Sequence, residues 1–168
     1  ALAQVGAKVA LASRKLENLQ AVANEINAAG GTAVAIQCDV RDPEAVEAMV
    51  AEAERQLGPI SILINNAGAT FTVDAEKLSP NGFRAVMEID TFGTFYCSQS
   101  FGKRVIARGT GGSIVNITST SPSTGNPGRI HGGAGKAGVE SMTKTLAVEW
   151  GPHQIRVNSV APGVVPTH

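Results

Sequence analysis

Aromatic side chains are scarce in this sequence. They make up 4% of 168 residues, with one tyrosine, Tyr96, and one tryptophan, Trp150. A core without many large rings must be filled by Ala, Val, Ile and Leu, the residues favoured in buried parallel sheets. Cysteine is as rare: Cys38 and Cys97 lie far apart without CxxC spacing. That argues against a disulfide framework or a thiolate metal site and leaves two small buried thiols as the plain reading; no metal is expected. No charge of one sign is in excess, because 14 basic and 14 acidic residues cancel. No nucleic-acid or anionic-membrane partner is therefore implied. Nor does any apolar run approach the roughly 18 residues of a membrane span.

What is present is an alternation of short apolar runs with amphipathic segments, in a chain that is 43% hydrophobic and 17% charged. Lys8 to Ser13 reads as a buried strand. Leu16 to Ala29 reads as a helix with Leu16, Leu19, Val22, Ala23 and Ile26 on one face, stopped by Gly30 and Gly31. Thr32 to Cys38 is the next strand. Asp42 and Pro43 supply an N-cap and a first helical position, and Gly58-Pro59 ends that helix. Strands are expected at Ile60 to Asn65, Gly112 to Thr118 and Ile155 to Val160. Helices are expected at about Pro80 to Arg108 and Gly132 to Trp150, and a Ser-, Pro- and Gly-rich loop at Ser119 to Gly128. Strands alternating with helices imply a Rossmann-like, doubly wound parallel α/β sheet in a single domain over residues 1–168.

Asn65-Asn66-Ala67-Gly68 follows a strand directly. Small residues there let a backbone turn lie close to a ligand at the carboxyl end of the sheet. Asp39-Val40 ends the preceding strand, Asn116 to Ser119 forms an NxxS-type segment, Lys136 sits in a Gly/Ala-rich helix start, and Pro162-Gly163 follows the last strand. Together these features resemble the short-chain dehydrogenase/reductase family over essentially the whole chain.

The resemblance implies a nicotinamide cofactor held by Asn66, Ala67, Gly68, Asp39, Val40, Lys136, Pro162 and Gly163, with Asp39 receiving the adenine amino group. After the first strand the sequence offers Arg14 and Lys15 and no carboxylate. A guanidinium matches a 2′-phosphate, so NADPH is expected over NADH. A basic pair on an exposed helix start is the plainer alternative, though it is unfavourable at that end without an anion.

At the catalytic positions the sequence departs from the wider family. The tyrosine expected four residues before the lysine is Gly132, and the helix asparagine is Asp90, while Ser119 keeps the family's serine position. One branch shares both departures. Val86 to Phe95, His131 to Lys136 and Leu146 to Pro162 look like the peroxisomal-type 2,4-dienoyl-CoA reductases, as does Phe71 followed by Leu78-Ser79 and Asn81. That resemblance implies reduction of a 2,4-dienoyl-CoA to a 3-enoyl-CoA in unsaturated fatty-acid β-oxidation, with Asp90 and Lys136 holding a water that protonates carbon. On the substrate side it places Arg41, Phe71, Ser79, Asn81 and His131, with Arg41 meeting either the CoA phosphates or nothing. Plainer roles stay open: Asp90 as a backbone cap, Phe71 as core filler, and His131 as a loop residue without a role.

Two other functions remain possible on the sequence: a short-chain reductase acting on another acyl thioester or a ketone, and a non-catalytic nucleotide-binding relative. The resemblance further implies a homo-oligomer. It also implies that the family's first strand with its Gly-rich turn and its C-terminal strand are missing from these residues, so that they alone would be inactive. The compartment, cytoplasm for a bacterial source or peroxisome for a eukaryotic one, is not written here.

Overall fold

The computed structural model describes residues 1–163. Its contacts divide the chain into two compact units, Ala1–Ile60 and Ser61–His168. In the first, a 3-10 turn at Ala3–Val5 leads into β1 (Lys8–Ser13), α1 (Leu16–Ala28), β2 (Thr32–Gln37) and α2 (Pro43–Leu57). β1 and β2 pair in parallel, from Lys8 opposite Thr32 to Ser13 opposite Gln37. α2 begins as its sequence dictates. The Asp42 carboxylate accepts from the backbone N–H groups of Glu44 and Ala45 at 2.9 and 3.2 Å, and Pro43 has no N–H to leave unpaired. Val46, Val50 and Ala53 of α2 and Ala33, Ile36 and Cys38 at β2 are buried.

The apolar stripe expected of α1 is only partly used. Ala23 is buried, but Leu16 and Val22 are 41% and 45% exposed. A polar contact does part of the docking: the Asn27 amide donates to the Ala33 carbonyl at 3.0 Å, and its oxygen accepts from the Ala33 N–H at 2.7 Å. These bonds satisfy backbone groups of β2 that β1 does not reach.

In the second unit β3 (Ile62–Asn65), β4 (Gly112–Ile117) and β5 (Ile155–Val160) form a parallel sheet in that order. α3 (Pro80–Met87), a π-helical turn at Glu88–Phe92, and α4 (Gly93–Arg108) follow β3. A short α5 (Ser121–Thr124) and a long α6 (Ile130–Trp150) follow β4. Ile114, Ile155, Val157, Phe101, Val105, Val139 and Val86 fill the core. A buried polar chain crosses it. The Asn65 amide donates to Ser98 Oγ at 3.0 Å and to Asn116 Oδ1 at 2.8 Å, and the Asn116 amide donates to Thr143 Oγ1 at 2.9 Å. These bonds tie the carboxyl ends of β3 and β4 to α6, so the turns leaving both strands are fixed relative to that helix. Among the described residues no helix is long and apolar enough to cross a membrane.

Candidate active site

Asp90 occupies the π turn between α3 and α4. Such turns insert one extra residue into a helix and often mark functional positions. The turn is held from both sides. Thr94 Oγ1 donates to the Asp90 carbonyl at 2.7 Å, and Thr91 Oγ1 donates to the Gly135 carbonyl of α6 at 3.1 Å. The two backbones come unusually close because α6 is glycine-rich on this face. A Cβ at Gly135 would lie 3.1 Å from Asp90 Cβ, and one at Gly138 would lie 3.1 Å from Thr91 Cγ2.

This contact yields a stability prediction. Gly135→Ala is expected to destabilise the protein by roughly 1 kcal/mol, overpacking outweighing the helix-propensity gain of alanine. Gly133→Ala meets only ordinary contact, 3.8 Å from Ser121 Cβ, and should stabilise by up to about 1 kcal/mol. Thermal unfolding of the two variants checks the contrast; equal shifts would show that the π turn and α6 are not in close apposition.

The Asp90 side chain is 1% exposed. Its Oδ1 accepts from the Ala69 N–H at 2.7 Å, on the turn after β3. Burial pushes its carboxyl above the ordinary 3.8, against the Ala69 hydrogen bond and the Lys136 charge. Lys136 lies one helical position beyond Gly135, and its ammonium donates to the Ile117 carbonyl at 2.9 Å. Burial holds the ammonium below its ordinary 10.5, opposed by Asp90. No direct ion pair joins the two among the described residues. They flank Gly68 instead, whose absent Cβ would stand 3.2 Å from Lys136 Nζ and 3.5 Å from Asp90 Oδ1. The glycine thus leaves open a small space bordered by an anion and a cation.

That space opens into a cleft of about 200 Å³ lined by Gly68, Thr70, Asp90, Ser119, Arg129 and Lys136, among others. Asp90, Lys136 and Ser119, expected from the sequence to act together, do meet here. Gly132 contributes no side chain to the cleft it borders. Thr70 and Arg129 were not singled out in the sequence; Thr70 stands only two residues beyond the glycine turn, a weak signal. A larger depression of about 580 Å³ along β5 and the end of α6 includes Ala147, Gly151 and Arg156. It lacks the facing acid and base that line the smaller cleft. Among the described residues no group of His, Cys, Asp and Glu is placed to hold a metal ion.

The remaining expected residues divide. Phe71 is 44% exposed and packs against His131, ring centroids 4.3 Å apart. His131 is not in a loop, because α6 begins at Ile130, two residues earlier than the sequence pattern implied. Its ring is fully buried, and neither nitrogen has a hydrogen-bond partner among the described residues. Ser79 caps α3, accepting from the Gly82 N–H at 3.0 Å, and Asn81 is exposed in the first turn of that helix. Asn66 and Ala67 are exposed on the turn after β3, Pro162 is partly exposed, and Gly163 is exposed beyond β5.

In the first unit Arg14 and Lys15 are exposed at the start of α1, and among the described residues neither forms an ion pair. The Arg41 Nε donates to both Asp39 oxygens, at 3.0 and 3.1 Å. That contact leads the causes that lower the Asp39 carboxyl to about 2. Val40 is partly buried between them. Cys38 is a free, buried thiol, pushed up to about 11 by burial and by Asp39 and Asp42.

The family model described as short chain dehydrogenase matches residues 1–168. A rat protein named peroxisomal 2,4-dienoyl-CoA reductase [(3E)-enoyl-CoA-producing] is 44% identical over 161 residues, covering 95% of this chain and 55% of its own. A Bacillus subtilis protein named "Probable 2,4-dienoyl-CoA reductase [(2E)-enoyl-CoA-producing]" is 42% identical over 164 residues, covering 97% of this chain and 65% of its own. Among solved structures, a gluconate 5-dehydrogenase from Burkholderia cenocepacia in complex with NADP and tartrate matches with a TM-score of 0.93 at 31% identity. That match covers 99% of this chain and 65% of the other. The chain therefore spans between about half and two thirds of the length of these relatives. On its motifs, its parallel α/β architecture and these matches, the chain belongs to the short-chain dehydrogenase family.

Proposed function

We propose that the protein is an NADPH-dependent reductase of 2,4-dienoyl-CoA thioesters. The observation that carries this reading is the buried Asp90 carboxylate facing Lys136 across the space at Gly68, in a cleft where position 132 has no side chain to act as an acid. The names of the rat and Bacillus subtilis relatives support the substrate class, and the NADP complex of the gluconate 5-dehydrogenase supports the cofactor class.

The residues present fit a nicotinamide cofactor. The exposed turn at Asn66 to Gly68 has no side chain at Gly68 to keep a ligand from Lys136 Nζ. Arg14 and Lys15 present exposed cations suited to a 2′-phosphate. When bound, the cofactor supplies the hydride that reduces the conjugated chain.

The chain's own residues then have a defined task. Reduction at the δ carbon leaves negative charge delocalised from the γ and α carbons to the thioester oxygen, so the proton must reach carbon. Lys136 and Asp90 hold and polarise a water whose proton goes to the α carbon, giving a 3-enoyl-CoA. Delivery to the γ carbon would give the conjugated 2-enoyl-CoA, and the two relatives' names divide on this point. Ser119 lines the same cleft as a neutral hydroxyl donor for the substrate.

The test is oxidation of NADPH by the purified protein with a 2,4-dienoyl-CoA, using a simple ketone as control and identifying the product. A 3-enoyl-CoA is expected from the dienoyl-CoA, with little turnover of the ketone. Preference for the ketone would transfer the reading to an ordinary carbonyl reductase. NADPH should be preferred over NADH, and replacing Arg14 and Lys15 with neutral residues should reduce that preference by one to two orders of magnitude, as for loss of a charge-assisted phosphate contact of about 1.5–3 kcal/mol. Equal catalytic efficiency with both cofactors in the unmodified protein would refute the role of the basic pair.

A further inference from the structure

Thr70, Ser121 and Arg129 are polar cleft residues that the reading above does not use, and Thr70 is the one set against position 132. Thr70 lines the cleft together with Asp90, Ser119 and Lys136. A Cβ at position 132 would stand 3.1 Å from Thr70 Oγ1 and 3.6 Å from Thr70 Cβ. The threonine therefore lies against the point where a side chain at position 132 would enter the cleft. Its backbone is anchored on both sides. The Ala69 N–H donates to Asp90 Oδ1 at 2.7 Å, and the Val73 N–H donates to the Gly128 carbonyl at 3.0 Å. Among the described residues nothing pairs with the Thr70 hydroxyl, so its proton is available to a ligand.

The chemistry calls for such a donor. As the conjugated chain is reduced, charge builds on the thioester oxygen, and a fixed neutral O–H stabilises it more in the transition state than in the ground state. Asp90 has no proton to give in its ionised form. Lys136 already donates to Ile117 and faces the carboxylate. With no side chain at Gly132, the hydroxyl groups lining the cleft are those of Thr70, Ser119 and Ser121, and of these Thr70 stands against position 132.

We propose that Thr70 is a further catalytic residue, whose hydroxyl donates a hydrogen bond to the thioester oxygen of the bound acyl-CoA. No covalent bond to Thr70 forms, and its proton stays on the hydroxyl. The inference rests on the dienoyl-CoA reading, and the experiment separates the two.

Thr70→Val keeps the shape and removes the donor, whereas Thr70→Ser keeps the donor and removes the methyl group. Steady-state kinetics with a 2,4-dienoyl-CoA should show kcat of Thr70→Val reduced about 10²-fold, with KM changed far less and with Thr70→Ser retaining most of the activity. The thioester carbonyl stretch of a bound enoyl-CoA product should lie at lower frequency in the unmodified protein and in Thr70→Ser than in Thr70→Val. NADPH titration and melting temperature, unchanged in all three, exclude a folding defect. A Thr70→Val enzyme that turns over like the unmodified protein while Thr70→Ser is impaired would overturn the inference alone, because the residue would then be a packing element. An unmodified protein that does not reduce the dienoyl-CoA would overturn both this role and the reading on which it rests.

Discussion

Asp90→Asn is expected to lower dienoyl-CoA turnover by about 10²–10⁴-fold, the range for loss of a positioned acid–base group, while leaving NADPH binding intact. The substitution is chosen because it keeps shape. The amide oxygen can still accept from the Ala69 N–H that now bonds Oδ1 at 2.7 Å, so the turn after β3 stays in place and only the charge is lost. Two pH signatures accompany it. Burial raises the Asp90 carboxyl above 3.8, and the mechanism needs the ionised form. Activity of the unmodified protein should therefore fall as pH drops through that raised value, and the acid limb should vanish from the residual activity of the variant. For stability the sign is opposite. A carboxyl whose folded-state pKa is raised contributes its favourable share below 3.8 and loses it as pH rises through the folded value. Asp90→Asn should accordingly melt no lower than the unmodified protein at neutral pH, with any advantage disappearing in acid. A variant that loses activity only because it unfolds, or one with full turnover, would remove Asp90 from the chemistry.

Most of the backbone was legible because it depends on local chemistry. β1 and β5 match the sequence reading at both ends, and α2 starts where Asp42 and Pro43 place it. β3 begins at Ile62 rather than Ile60. Its ladder with β4 opens with Ile62 opposite Ser113, and Ser61 joins it only through its carbonyl, which accepts from the Ser113 N–H at 3.0 Å. The π turn was not legible, since residues 80–108 carry an unbroken helical pattern and nothing local announces an added residue. The close approach of the turn accounts for two of the glycines of α6, Gly135 and Gly138. The early start of α6 has the same origin. Ile130 and His131 look like loop residues, yet packing against Phe71 draws His131 into the first turn and buries it. α1 shows the converse error: periodicity identified its apolar face but could not say how much of it a neighbour would cover.

At the site, residue identities were more legible than their relations. Asp90, Lys136 and Ser119 could be picked out by position, because the departures at Gly132 and Asp90 stand out against the family pattern. That Gly68 separates the acid from the base, and that Thr70 stands against position 132, depends on the path of the turn after β3. Ser79 shows how a motif residue can also serve the scaffold, since its hydroxyl caps α3.

Lys136→Met is expected to remove turnover to the same degree as Asp90→Asn and, unlike it, to weaken cofactor binding. Methionine preserves most of the side-chain volume, so the effect is that of the ammonium. Three consequences follow from its surroundings. The Ile117 carbonyl loses the donor now 2.9 Å away, the water that would reach substrate carbon loses its cationic partner, and the buried Asp90 carboxylate loses the charge that offsets its desolvation. The last effect gives a test that activity cannot, because either single substitution already removes most of the turnover. In a double-mutant cycle read by thermal or denaturant unfolding, Lys136→Met should destabilise the protein markedly when Asp90 is present and much less in the Asp90→Asn background. A coupling free energy of about 1 kcal/mol or more is expected, within the range for residues that share an interaction network. At pH below the raised Asp90 value the coupling should shrink, because the carboxyl is then neutral in both backgrounds. A coupling near zero at neutral pH would mean that acid and base do not sense each other across Gly68, and the water they are proposed to share would have to be held elsewhere.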